Sequence, residues 1–338
     1  MTGAPRLVGV DAARGLAIIG MLYAHVADDG SAESLADGRS SVLFATLAGV
    51  SLGLITGGER CVVGPARRGA LRSVALRGVL LVVLGLLLHA LGTPVAVILD
   101  SYGALFLVLL PVLVAPVPVV AAVGLVAALA GPLVVAAVGE DLRTPFSPDR
   151  LPHLLGEWFV TGYYPQVVWA AYVCAGLFAA RLGLGRRRIQ LTLLIGGATS
   201  SLLGYGGARV AGLDATAHSN TTAEVLGAGG LALALIGGLL LLCASPAARR
   251  VLSPIAAAGS MPLTIYTGQL LVLALWLTTP AAGSPPWISS WPLLAGLVLG
   301  SVLFAVAWRR TSGRGPMEEL MAALTRTRAV APEPRPIR

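Results

Sequence analysis

The chain contains no lysine; all 24 of its basic residues are arginine, as a GC-rich coding bias would produce. Charged side chains of either sign make up only 12% of the 338 residues, against roughly 25% in a soluble domain. With 56% hydrophobic residues beside so little charge, a water-soluble globule is excluded and a membrane-embedded chain is indicated. Cysteine is scarce as well. Cys61, Cys174 and Cys243 are scattered with no Cys-x-x-Cys pair, which argues against a disulfide framework or a zinc site. Cys174 and Cys243 lie in apolar stretches and read as small core residues. The sequence also has no Gly-x-Ser-x-Gly elbow, no Walker loop and no His-Glu-x-x-His motif, so nothing points to a serine hydrolase, a phosphate-cradling nucleotide site or a metal. No cleavable leader is expected, because Asp11 and Arg14 interrupt the first apolar run.

Long apolar segments are abundant instead. A spanning helix needs about 20 mainly apolar residues. About ten stretches approach that, near 8–27, 40–57, 73–92, 97–115, 118–138, 163–182, 189–211, 224–244, 252–279 and 291–309. Asp100 and Pro111 interrupt the fourth, and Gly259 with Pro262 predicts a kink or break in the ninth. The arginines cluster at Arg60, Arg67, Arg68 and Arg72, at Arg181 and Arg186–Arg188, at Arg249 and Arg250, and at Arg309, Arg310 and Arg314. The intervening loops carry Asp28, Asp29, Glu33, Asp37, Glu140, Asp141, Asp149, Asp214 and Glu224. By the positive-inside rule the arginine loops face the cytoplasm. The same pattern explains the net charge of +8 without invoking nucleic acid. The fold expected is all-α and polytopic, with about ten transmembrane helices and both termini cytoplasmic. Residues 1–314 form the transmembrane domain; residues 315–338 form a short cytoplasmic helix and a proline-rich, disordered tail. Residues 148–160 read as an amphipathic helix on the outer surface.

The first apolar segment carries an acid, a base and an imidazole. Each ionisable group inside a membrane helix costs roughly 2.5–3.5 kcal/mol on insertion scales, so such groups usually face protein or a water-filled cavity. Asp11, Arg14, Ile18 and His25 follow one another at steps of 3, 4 and 7, which keeps them on one stripe of a helix. At about 1.5 Å rise per residue, Arg14 and His25 stand roughly 16 Å apart along the axis. His25 then lies at the outer face, where an imidazole can take a proton from a hydroxyl or amine; the alternative is a histidine simply hydrogen-bonded at a helix end. Arg14 either pairs with Asp11 to fix helix packing or holds an anionic group. With this topology Arg39, Ser40, Tyr163, Tyr164 and His218 gather on the same outer side as His25. His218, in Ala217-His-Ser-Asn-Thr-Thr-Ala-Glu224, is either a second candidate base or a solvated loop histidine. His89 and His153 read as structural.

Arg14 and His25, separated by ten residues within Asp11-Ala-Ala-Arg14-Gly, resemble the signature of the acyltransferase-three group. The same opening helix resembles the catalytic domain of heparan-alpha-glucosaminide N-acetyltransferase and its bacterial relatives. Further segments fit in order: Gly38 to Gly49, Gly162-Tyr-Tyr-Pro-Gln-Val-Val-Trp169, Ala258 to Thr267, and Gly315-Pro-Met-Glu318. The resemblance implies a multi-pass acyltransferase of the bacterial inner membrane. A cytoplasmic acyl-CoA, with acetyl-CoA as the expected co-substrate, would present its phosphates to Arg14 and Arg72. His25, supported by Asp11 and Arg14, would deprotonate a sugar-like acceptor held by Arg39, Ser40, Tyr163, Tyr164 and His218. In the lysosomal enzyme asparagine stands where His25 stands here and a loop histidine is catalytic, so the base is His25 or His218. Membrane lipids and a small-molecule acceptor are the expected partners, with self-association left open. A transporter or flippase of an amphipathic molecule is the alternative, the charges of the first helix then serving as a coupling site.

Overall fold

The computed structural model describes residues 7–26, 36–138, 151–279 and 290–325, and every regular element among them is helical. The acidic residues Asp28, Asp29, Glu33, Glu140, Asp141 and Asp149, the beginning of the expected amphipathic segment, and the tail from 326 lie outside the described residues.

The helices run in chain order as α1 (Val8–Val26), α2 (Arg39–Ile55), α3 (Gly64–His89), α4 (Leu99–Val108), α5 (Val117–Val138), α6 (Leu151–Gly156), α7 (Gln166–Leu182), α8 (Arg187–Ser201), α9 (Gly207–Ala211), α10 (Thr222–Leu242), α11 (Pro246–Val251), α12 (Ser253–Gly259), α13 (Pro262–Leu277), α14 (Trp291–Thr311) and α15 (Pro316–Thr325). Local chemistry sets several boundaries. Pro65, Pro254, Pro262 and Pro292 fall in first turns, where the missing N–H is not needed. Thr221 caps α10 by accepting the Glu224 N–H at 3.1 Å. Gly183, at φ 97°, ends α7 in a left-handed conformation.

Among the described residues, four helices, α3, α5, α10 and α14, are long and apolar enough to cross a membrane. Counting each of two bent pairs as one span raises the number to six: His153–Thr161 with α7, bent by 55°, and α12 with α13, bent by 80°. The kink expected in the ninth segment is therefore a true break. The fourth expected segment is realised as the ten-residue α4 followed by a short 3-10 turn at Val112–Val114. The seventh runs from α8 through a π-helical turn, Leu202–Gly206, into α9. The short C-terminal helix is present as α15.

The core is built on close helix contacts at small residues, as lipid-embedded bundles require. Gly49 of α2 lies against the Val173 carbonyl of α7, and Gly176 of α7 lies against the Thr46 carbonyl of α2. The α1–α12 pair repeats the device: Gly15 faces the Ile255 carbonyl and Gly259 the Asp11 carbonyl. In each case a Cβ would run into backbone. α1 also touches α2, α10, α13 and α14, and this central position buries Asp11 and Ile18. The polar stripe of α1 thus faces protein. By contrast, α5 and α14 turn most of their apolar surface outward.

Candidate functional site

The two ends of α1 open onto different cavities. Near its start, Arg14 donates to Asp11 Oδ1 at 3.1 Å, to the Gly259 carbonyl at 3.2 Å and to Ser51 Oγ at 3.0 Å. The glycine contact between α1 and α12 brings the carbonyl at the helix break within reach. Arg14, Arg77 and Arg314 line a cavity of about 510 Å³ together with Ser51, Tyr102 and Tyr266. The ion pair with Asp11 and the exposure to a cationic cavity therefore coexist in one side chain. α15 closes one side of this cavity with Met321 and Ala322. Glu318 fixes it there. Its carboxylate accepts from the Leu263 N–H at 2.6 Å, the Thr264 N–H at 3.2 Å and Thr264 Oγ1 at 2.5 Å, at the open N-terminus of α13.

At the other end of α1, His25 lines a cavity of about 280 Å³ with Asp37, Ser40, Ser41, Tyr163, Tyr164 and His218. Both candidate histidines thus face one space. His25 Nδ1 lies 3.1 Å from Gln269 Nε2. That contact controls which ring nitrogen carries the proton. With the amide nitrogen against Nδ1, Nε2 is a donor; with the amide turned over, Nε2 presents a lone pair and can act as a base.

His218 is the more tightly built of the two. Its backbone N–H donates to Glu224 Oε1 at 2.7 Å, and the Asn220 N–H donates to Glu224 Oε2 at 2.6 Å. Both residues have left-handed backbones, φ 60° and 54°, which a non-glycine residue adopts at a cost unless it is held. The imidazole stacks on Trp169 and meets Tyr163 and Tyr164 edge-on at 4.7 and 5.6 Å between centroids. His218 Nε2 is 3.9 Å from Asp37 Oδ1. Burial pushes the His218 imidazole below its usual value, opposed by the Asp37 carboxylate and a backbone hydrogen bond at Tyr163. A neutral imidazole is the form that can accept a proton, and the Asp37 carboxylate stands near its Nε2 at 3.9 Å.

Of the residues singled out by sequence, Ser40, Tyr163, Tyr164 and His218 converge with His25, and Asp11 stays with Arg14 at the far end. Arg39 turns aside, its guanidinium 5.0 Å from the Tyr205 ring centre. Arg72 is exposed on α3 and lines none of the cavities described; Arg77, further along the same helix, takes the place beside Arg14. Asp37, Glu224, Gln269, Arg77, Arg314 and Glu318 are additions that come from the structure. Arg77 had a signal, being an ionisable residue within an apolar run. Glu318 had one in Gly-Pro-x-Glu.

The cationic and histidine cavities share no lining residue. Tyr102 lines the first and donates through its hydroxyl to the Ser41 carbonyl at 3.1 Å, while Ser41 lines the second. Tyr266, also on the cationic side, accepts from the Ile98 N–H at 3.2 Å. Tyr102 therefore links the wall of the cationic cavity to the wall of the histidine cavity.

Residues 166–328 match a family described as a protein of unknown function (DUF418), which belongs to the same acyltransferase-like membrane superfamily. None of the curated proteins matches the chain. Residues 6–209 match the family described as heparan-alpha-glucosaminide N-acetyltransferase, catalytic, and span α1 with Arg14 and His25. With more than half of its 338 residues in that match, the chain belongs to the heparan-alpha-glucosaminide N-acetyltransferase catalytic family, a group of membrane acetyltransferase-like proteins.

Proposed function

We propose that the chain is a membrane acyltransferase that moves an acyl group, acetyl first among them, from acyl-CoA to a hydroxyl or amine of an acceptor. The convergence of His25 and His218 on one cavity, with Asp37 beside His218, carries this reading. The acyl-CoA phosphates dock in the cavity of Arg14, Arg77 and Arg314, where guanidinium groups can bind them bidentately. The pantetheine arm passes from one cavity to the other beside Tyr102, whose contact with the Ser41 carbonyl has to open. The histidine takes the proton from the acceptor, the freed oxygen or nitrogen attacks the thioester carbon, and the C–S bond breaks. The imidazolium then returns its proton to the CoA sulfur. The arginine side faces the cytoplasm of a bacterial inner membrane, and both termini lie there.

Thermal unfolding with acetyl-CoA and longer acyl-CoAs tests the donor. A ligand bound by the folded state alone, at about 100 times its Kd, adds roughly 2.7 kcal/mol of stability. A rise in Tm that Arg77→Gln diminishes supports the reading; a flat response to every thioester opposes it. One observation favours a transporter: the break between α12 and α13 lines the cationic cavity through Ser260, Pro262 and Leu263. Uptake into proteoliposomes without any thioester would support that second reading.

A further inference from the structure

Tyr266 and Gln269 share one face of α13, and both are buried, at 2% and 3% exposure. Tyr266 lines the cationic cavity, while the Gln269 amide reaches His25 in the histidine chamber. The break after α12 and the contact of Gly259 with α1 set where α13 starts, and Gln269 follows Pro262 by two turns, roughly 10 Å along the axis. The contact is the reverse of the one a basic histidine usually makes. Such a histidine donates its Nδ1–H to a carboxylate or carbonyl, which leaves the lone pair on Nε2. Here the atom against Nδ1 is the amide nitrogen, at 3.1 Å. An amide nitrogen donates and offers no lone pair, so Nδ1 accepts and the ring proton sits on Nε2. The amide does not ionise, so this bias holds across the pH range. His218 is built the other way. Asp37 Oδ1 stands 3.9 Å from its Nε2, and its buried Nδ1 has no hydrogen-bond partner among the described residues. That leaves His218 with a ring nitrogen open to a proton, in the chamber that both histidines line.

We propose that Gln269 is a positioning residue that keeps the His25 proton on Nε2, so that His25 meets the ligand as a hydrogen-bond donor and His218 takes the proton. The division between the two histidines rests on the acyltransferase reading; the placement of the His25 proton does not. The ligand atom that faces His25 is then an acceptor, such as a carbonyl or hydroxyl oxygen.

Nitrogen NMR of the full chain in lipid nanodiscs, isotope-labelled at histidine and with no thioester present, tests it. The chain has four histidines, and the signals missing from His25→Phe are those of His25. The expected result in the parent is a protonated Nε2 and a bare Nδ1. Gln269→Glu offers Nδ1 an acceptor and should move the proton there, whereas Gln269→Leu should leave both tautomers populated. A proton on Nδ1 in the parent, or an unchanged pattern in whichever variant folds, overturns the proposal. Turnover of acetyl-CoA with glucosamine then tests the division between the histidines. Gln269→Glu should lower kcat about 10²-fold and leave the acceptor KM little changed. Parental kcat in a variant whose proton has moved would overturn that division. The expected NMR pattern in a parent chain that turns over no acyl-CoA would sink the acyltransferase reading and leave the positioning by Gln269 standing.

Discussion

Glu224 holds the backbone of His218: the histidine N–H reaches Glu224 Oε1 at 2.7 Å, and Oε2 takes the Asn220 N–H at 2.6 Å. One carboxylate in the first turn of α10 thereby fixes two left-handed residues and aims an imidazole into the chamber that His25 also lines. Replacing Glu224 by Ala would orphan both amides, each at about 1–3 kcal/mol for a buried group. Thermal unfolding should show a clear fall in Tm. Glu224→Gln, which retains one acceptor oxygen, should fall less. An unchanged Tm in Glu224→Ala would show that the loop is held by other contacts.

The pH response follows from His218. Burial lowers its folded pKa below the ordinary 6.5, so the folded state prefers the neutral ring. The linked stability is complete above the unfolded value and is lost as pH falls through it toward the folded value. Melting should therefore weaken on acidification below about pH 6.5, where the unfolded chain takes up the proton first. His218→Phe should flatten that acid limb. A limb unchanged in His218→Phe would assign it to another group.

The paired glycine contacts predict a steep response to a single methyl. Gly176→Ala places a Cβ against the Thr46 carbonyl, and Gly259→Ala places one against the Asp11 carbonyl. Overpacking of this kind costs about 1–3 kcal/mol. Both variants should lower Tm, and Gly259→Ala should also disturb the Arg14 contact with the Gly259 carbonyl. Gly268→Ala, with open space around its position, is the control and should be neutral.

Glu318 ties α15 to the start of α13. Glu318→Ala removes three hydrogen bonds, at about 1 kcal/mol net each. Limited proteolysis should then cut near 315 faster than in the parent chain. Equal cleavage rates would mean that Met321 and Ala322 hold the helix without the carboxylate.

The stripe on α1 was legible because its period is local: steps of three, four and seven need no knowledge of other helices. The break at Gly259 to Pro262 and the short helix from Pro316 were legible for the same reason, since proline and glycine act where they stand. The partners of the stripe were not. Asp37 meets His218 from a loop far away in sequence, and Gln269 reaches His25 from the thirteenth helix. Nothing in either local sequence marks those meetings. Arg39 looked like an acceptor ligand by its place in the chain, but its guanidinium lies over Tyr205. Helix count suffers likewise, because hydropathy alone does not distinguish a full span from the ten-residue α4.

The most direct test is acetyl transfer from acetyl-CoA by the chain in lipid nanodiscs, with glucosamine as acceptor, comparing His25→Ala and His218→Ala with the parent. The account predicts that each variant stays folded and that turnover falls about 10²–10⁴-fold, the usual contribution of a positioned acid or base. Parental turnover in either variant would contradict it.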